Sequence, residues 1–228
     1  MEKVYINDHD IVIPGELLAE GFDFLPSGKA FREDEKIFAS TIGVASVKGR
    51  VIKVIPLAGK YMPRKGDVVI GKVVNISHSG WILDIDSPYL ADLNIGEASS
   101  EYIDTNRTPM TKYFDLGDYA LCEIITISEG FFVKLTAKFK PYRRLMGGNI
   151  IKVSPTKIPR IIGKAGSMVN MLKDASGCDI TVGQNGLVWI KGEPENEAMV
   201  ARIIKIIEKE SHMPGLTDKI KRMLEKGG

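Results

Sequence analysis

Residues 163–166 read Gly-Lys-Ala-Gly, inside the stretch "IPRIIGKAGSMVNMLKDASG" that runs from Ile158 to Gly177. Two glycines three apart leave a loop with no Cβ at either end, so a sugar-phosphate backbone can come close to the peptide. Ser167 is placed to cap a following helix that carries Met168, Leu172 and Ala175 on one face. The first amides of that helix would point into the loop with the positive end of the dipole, which favours an anion. Lys164 adds a mobile charge, and Arg160 and Lys157 extend the rim. Ile161 and Ile162 ahead of the loop, with Ile180 or Val182 on a later strand, are expected to wall a narrow apolar groove. Such a groove suits the unstacked bases of a single strand rather than a duplex. A triphosphate loop is excluded, because Ile158 stands where its first glycine belongs and Ala165 where a hydroxyl would hold magnesium. A dinucleotide fingerprint is excluded too, since no Gly-x-Gly-x-x-Gly follows a strand.

Other residues of chemical type are less well placed. Asp84 and Asp86 form a D-x-D, but on a strand they point to one face near a turn, with no third carboxylate or histidine beside them. Asp8, His9 and Asp10 read as an exposed turn, and His78 and His212 stand singly. Cys122 and Cys178 are far apart with no His or Cys at ligand spacing, so both are expected to be buried thiols. Cutting a phosphodiester needs clustered carboxylates on metal or a positioned acid and base. The chain therefore reads as a binding protein without catalytic residues, metal or cofactor.

The chain has 228 residues, enough for two or three compact modules or one large one. No apolar run reaches the roughly 18 residues of a membrane span, and the start "MEKVYINDHD" has no signal-peptide core, which together imply a soluble, cytoplasmic protein. Residues 61–140 carry 8 Lys/Arg against 11 Asp/Glu, whereas 141–210 carry 11 against 7, so the positive excess lies with the glycine loop. Through about Tyr61, turn signals at Pro14, Pro26 and Lys48 separate short β-branched runs, which implies a small β-rich domain over 1–62. From 63 to 140, "DVVIGKVVNIS", "GWILDID", "YLADLNI", "DYALCEIITIS" and "FFVKLTAKF" make five strand candidates, the number in an OB-type barrel. Gly71 within the first permits the bend such closure needs. Over 148–210 the order is β-α-α-β-β-α: "NIIKV", a short proline-led helix, the capped helix, a hairpin turning at Asn185 and Gly186, and a long helix opened by Pro194. Leu216, Ile220, Met223 and Leu224 fit an amphipathic helix in a tail spanning 211–228. The fold class is thus mainly β, with a C-terminal α+β module.

"IIGKAG", a helix, "SGCDITVGQNGLVWIKG" and a closing helix together resemble a type I KH domain. "KGDVVIGKVVNISHSGWILDID" and "LGDYALCEIITISEGFFVKLTA" resemble an S-one-type RNA-binding barrel, although Ile82 stands where that family often has Phe. Barrels of this type stack bases on aromatics and track phosphates with basic side chains. The resemblance points to Trp81, His78 and Tyr89 as platforms and to Arg107 and Lys112 as loop cations, with Trp81 equally readable as core.

The order of modules, with "IVIPGELLAEG", "YMPRKGDVVIG" and "HMPGLTDKI", resembles the RNA-binding cap subunit of the archaeal-type exosome, the ribosomal-RNA-processing-protein-four family. That resemblance implies three copies capping a hexameric ring of phosphorolytic subunits. The N-terminal domain would dock on the ring, the barrels would surround its opening, and single-stranded RNA would be recruited and steered but not cut. Two other readings are compatible with parts of the chain. A transcription-elongation factor of the N-utilisation type would show two tandem KH modules, and a metal-dependent nuclease would depend on Asp84 and Asp86.

Overall fold

The computed structural model describes residues 3–57, 59–100, 103, 108–128, 132–211, 213 and 215–226. The chain forms two compact units, Met1–Gly59 and Lys60–Gly228.

The first unit is made of strands. β1 (Lys3–Val4), β3 (Leu17–Glu20), β6 (Lys36–Ala39) and β5 (Ala30–Glu33) lie side by side in one sheet. The second sheet runs β2 (Ile11–Val12), β7 (Gly43–Lys48), β8 (Val51–Pro56) and β4 (Leu25–Gly28). The period of two fixes the faces: along β8, Ile52 and Val54 are buried while Val51, Lys53 and Ile55 are exposed. Those two join Val12, Leu18 and Ile37 in the unit's own core.

The second unit begins with the barrel. β9 (Val68–Ser77) pairs antiparallel with β10 (Gly80–Asp84) and with β12 (Tyr119–Ile127). β10 pairs with β11 (Leu90–Asn94), which leads into the short helix α1 (Ile95–Ala98). β13 (Val133–Thr136) runs parallel to β11 and antiparallel to β12, closing the five strands. Gly71 sits where strands cross closely, since a Cβ there would lie 2.8 Å from Leu83 Cδ2. A sixth strand, β14 (Arg143–Leu145), adds to β12 and leads out of the barrel.

The KH order follows: β15 (Asn149–Lys152), α2 (Ile158–Ile162), α3 (Ser167–Ser176), β16 (Asp179–Val182), β17 (Leu187–Lys191) and α4 (Pro194–Lys209). Its sheet runs β15-β17-β16, all antiparallel. The central strand β17 is buried on both faces, which is why it reads as the unbroken apolar run "LVWI". Val188 and Ile190 face a core shared with Leu172 of α3 and Val200, Ile203 and Ile207 of α4. Leu187 and Trp189, on the opposite face, pack with Ile70, Leu121 and Leu145 of the barrel sheet. Each such aliphatic side chain contributes roughly 1.5–3 kcal/mol when buried. The terminal helix α5 (Leu216–Lys226) places Leu216, Ile220 and Leu224 into the KH core, so its apolar face is used within the chain.

Two local expectations need correction. The buried positions of α3 are Met168, Leu172 and Ser176, while Ala175 is exposed; the buried Ser176 hydroxyl is satisfied by donating to Leu172 O at 2.6 Å. In the β16–β17 turn only Gly186 takes positive φ, at 91°. Asn185 is instead wholly buried, its amide bonded to Ile70 and Ile85 of the barrel segment.

Candidate nucleic-acid interface

The glycine loop has its shape from the backbone. Gly163 ends α2 at φ 76°, ψ 174°, donating its N–H to Pro159 O at 3.0 Å. Ala165 (φ 51°, ψ 32°) and Gly166 (φ 80°, ψ 7°) are both left-handed, and α3 starts one residue later. The two glycines serve different ends. A Cβ on Gly163 would lie 2.7 Å from the Met168 nitrogen and 2.8 Å from the Met168 Cβ, so this position is closed by the helix it precedes. A Cβ on Gly166 would meet only Asn170 Nδ2 at 3.5 Å, so here glycine serves the dihedral and leaves open space. Gly166, not Ser167, occupies the N-cap, and it supplies no side-chain hydrogen bond to the first amides of α3. The positive end of this ten-residue helix therefore has no capping oxygen from its own N-cap.

Lys164 and Ala165 are exposed, and Lys157 and Arg160 are half-buried. No ion pair involves Lys157, Arg160, Lys164 or Lys173 among the described residues. Arg160 Nε is buried without a hydrogen-bond partner. Ile161 is 0% exposed and belongs to the KH core, so it does not wall the groove as expected. Helical spacing turns its neighbour outward: Ile162 is half-buried and lines a cavity of about 430 Å³ together with Val169, Ile180 and Val182. The cavity's KH side also carries Lys173, one turn beyond Val169 on α3. The sequence reading missed both α3 residues, although their i, i+4 spacing was available as a signal.

The barrel residues fare differently. Trp81 is 0% exposed; its indole N–H donates to Phe114 O at 2.8 Å, and the ring meets Phe114 edge-on at 5.4 Å between centroids. It is a core residue, and the expectation of a base-stacking platform is corrected accordingly. Tyr89 is half-buried and packs against the same core. His78 is exposed in the β9–β10 turn, and Lys112 is exposed on a 3-10 turn, Met110–Lys112. Arg107 lies outside the described residues. Among the described residues, Phe132 (71% exposed) and Phe139 (65%) are phenylalanine rings that the barrel region leaves in solvent, and the sequence reading passed over both. Both are followed two residues or fewer later by lysine, Lys134 and Lys140.

The acidic clusters have structural work. Asp84 Oδ1 accepts from the Asp86 N–H at 2.9 Å, and Asp86 pairs with Lys152 of β15. Asp8 accepts from the Val47 N–H at 2.9 Å, which holds its carboxyl below the usual range, and Asp10 accepts from the Asn7 N–H at 2.7 Å. Tyr142 donates to Glu123 Oε2 at 2.6 Å, and that bond, helped by burial, pushes its phenol up to about 12.

A five-stranded barrel joined to a β-α-α-β-β-α module with an exposed Gly-x-x-Gly loop defines the chain as a barrel-plus-KH nucleic-acid-binding protein. Family models match in the same order: the exosome RNA binding protein RRP4 N-terminal domain over 9–58, the RRP4 S1 domain over 60–126, and the KH domain over 148–196. The exosome complex component Rrp4 of Pyrococcus furiosus is 43% identical over 227 residues, covering 98% of this chain and 86% of that one. Its counterpart in Methanothermus fervidus is 42% identical over 221 residues, covering 97% of both chains. A crystal structure described as an exosome complex RNA-binding protein superposes with a TM-score of 0.67 at 30% identity, covering 74% of this chain and 97% of that one. The chain belongs to the Rrp4 family of exosome complex components. No helix among the described residues is long and apolar enough to cross a membrane.

Proposed function

We propose that this chain is a non-catalytic RNA-binding cap subunit of a cytoplasmic exosome, present in three copies. It holds single-stranded RNA and steers it toward a hexameric phosphorolytic ring for 3′-to-5′ degradation and processing. The N-terminal unit docks on the ring, and the KH loop is the main grip on the strand. The observation that carries this reading is the exposed Lys164-Ala165 pair between two glycines at the uncapped start of α3. The positive end of the α3 dipole adjoins Lys164, which has no ion pair among the described residues, and a phosphate is the fitting ligand there. Ile162 and Val182 offer adjoining apolar surface on which an unstacked base can rest.

The reading is tested by Lys164→Asp combined with Ala165→Asp. Ala165 is left-handed, a conformation that Asp adopts more readily than most residues, so the loop keeps its shape while two negative charges replace one positive. Affinity of the full chain for a fluorescent, unstructured oligoribonucleotide is expected to fall about ten- to hundredfold in an anisotropy titration. Unchanged affinity would reduce the loop to scaffolding.

A further inference from the structure

The KH groove in this chain has a second owner. Its cavity is bounded on one side by α2, α3 and β16, and on the other by Val68, Leu121, Pro141 and Arg143 of the barrel and its outgoing strand. Specific bonds hold that wall in place. The turn between β16 and β17 is laid along the edge of β9: Gln184 N–H donates to Val68 O at 2.8 Å, and Val68 N–H donates to Gln184 Oε1 at 2.7 Å. Asn185 extends the ladder with its side chain. Its Oδ1 accepts from Ile70 N–H at 3.2 Å, and its Nδ2 donates to Ile70 O and Ile85 O, each at 2.8 Å. A fully buried amide with its bonding capacity so used behaves as a strand residue and fixes the turn against the barrel. The apolar layer of Ile70, Leu121, Leu187 and Trp189 lies directly behind.

The cavity's chemistry selects its occupant. Ile162, Val169, Val68 and Pro141 give apolar walls, and about 430 Å³ lies within the roughly 300–1,000 Å³ of sites that take small organic groups. Thr181 and Gln184 bring polar atoms to the same space. Arg143 bonds Asp179 at 2.9 Å and stands 5.9 Å from the Trp189 ring centroid, while Lys173 has no ion-pair partner among the described residues. The positive charge on the rim, Arg143 and Lys173, exceeds the negative, Asp179.

We propose that this cavity takes one unstacked base of the RNA strand gripped by the glycine loop, with Val68, Pro141 and Arg143 of the barrel side forming part of the KH binding site. The proposal rests on the RNA reading of the loop. It adds that the two modules read one nucleotide together, the barrel side supplying a stacking wall and Arg143, Thr181 and Gln184 supplying donors and acceptors for the base edge.

The test uses the full chain and a thiouridine-substituted, unstructured oligoribonucleotide, with photocrosslinks mapped by mass spectrometry. Crosslinks are expected on peptides holding Val68 or Pro141–Arg143 as well as on β16. Label confined to the loop and α3 would overturn the proposal and leave the cavity to a peptide partner. In parallel, Val68→Trp fills the cavity from the barrel side without touching the loop, and should weaken RNA binding about tenfold, the scale of one stacked base. If Val68→Trp binds normally while the Lys164→Asp/Ala165→Asp chain does not, the shared pocket is wrong and the loop reading stands. If both bind normally, both are wrong. The crosslinking uses the unaltered protein, so it decides even if Val68→Trp unfolds.

Discussion

The KH loop and the barrel interior both hold residues that nucleic-acid binders use, yet they place them oppositely. Around residues 163–166 the backbone takes up left-handed conformations so that Lys164 and Ala165 stand in solvent at a helix start. In the barrel, closure turns the largest aromatic inward, and Trp81 spends its only donor on Phe114 O. A binding loop is made by main-chain geometry that needs no side chain of its own, whereas a stacking platform depends on which face of a strand the barrel leaves outside. The two glycines also differ: packing against Met168 requires Gly163, whereas Gly166 is required by its left-handed dihedral.

The largest effect is expected at Trp81→Ala, which removes a fully buried ring and orphans Phe114 O. Thermal or denaturant unfolding should show a loss of about 3–5 kcal/mol in the barrel. Trp81→Phe, milder, should leave RNA affinity unchanged wherever the chain remains folded; a specific loss of affinity would return Trp81 to the binding surface. Next in size is the glycine pair. Gly163→Ala meets the Met168 main chain and should cost about 2–4 kcal/mol, against about 1 kcal/mol for Gly166→Ala, whose cost is the dihedral alone. Equal losses would mean that the two positions are equivalent after all.

The smallest effect concerns Cys122. Burial pushes its thiol up to about 12 from an ordinary 9.0. The native thiol stays protonated where the unfolded chain ionises, so between those values the unfolded state binds fewer protons. This contribution to stability is constant well below pH 9.0 and declines as the pH rises through it. At neutral pH, a thiol reagent should leave Cys122 unmodified until denaturant is added; rapid labelling of the native chain would contradict its placement in the barrel core.

Much of this molecule is legible in its sequence. The β-α-α-β-β-α order, the five barrel strands and the glycine loop follow from local periodicity and turn residues, which short-range sterics fix. What lies outside reach is tertiary. "GWILD" has no alternation around Trp81, so a period of two cannot say which of Trp81 and Ile82 faces in. Ile161 and Ile162 are adjacent and chemically alike, and only the docking of α2 decides that the first is core and the second groove. Asn185 looked like a turn former because Asn-Gly usually is one. Its amide is instead committed to Ile70 and Ile85, more than ninety residues away along the chain. The barrel wall of the cavity, Val68, Pro141 and Arg143, could not be assigned to the KH groove without that contact.

On the proposed reading, RNA is held at the loop and groove of the KH module while the barrel core stays out of contact. An amide-resolved NMR titration of the full chain with an unstructured oligoribonucleotide measures this directly. The largest shifts should fall on the amides of residues 164–168 and 180–184, with the Trp81 indole signal unmoved. Shifts confined to the Trp81 indole and the loops around His78 and Lys112, with the Lys164 and Ala165 amides silent, would contradict it.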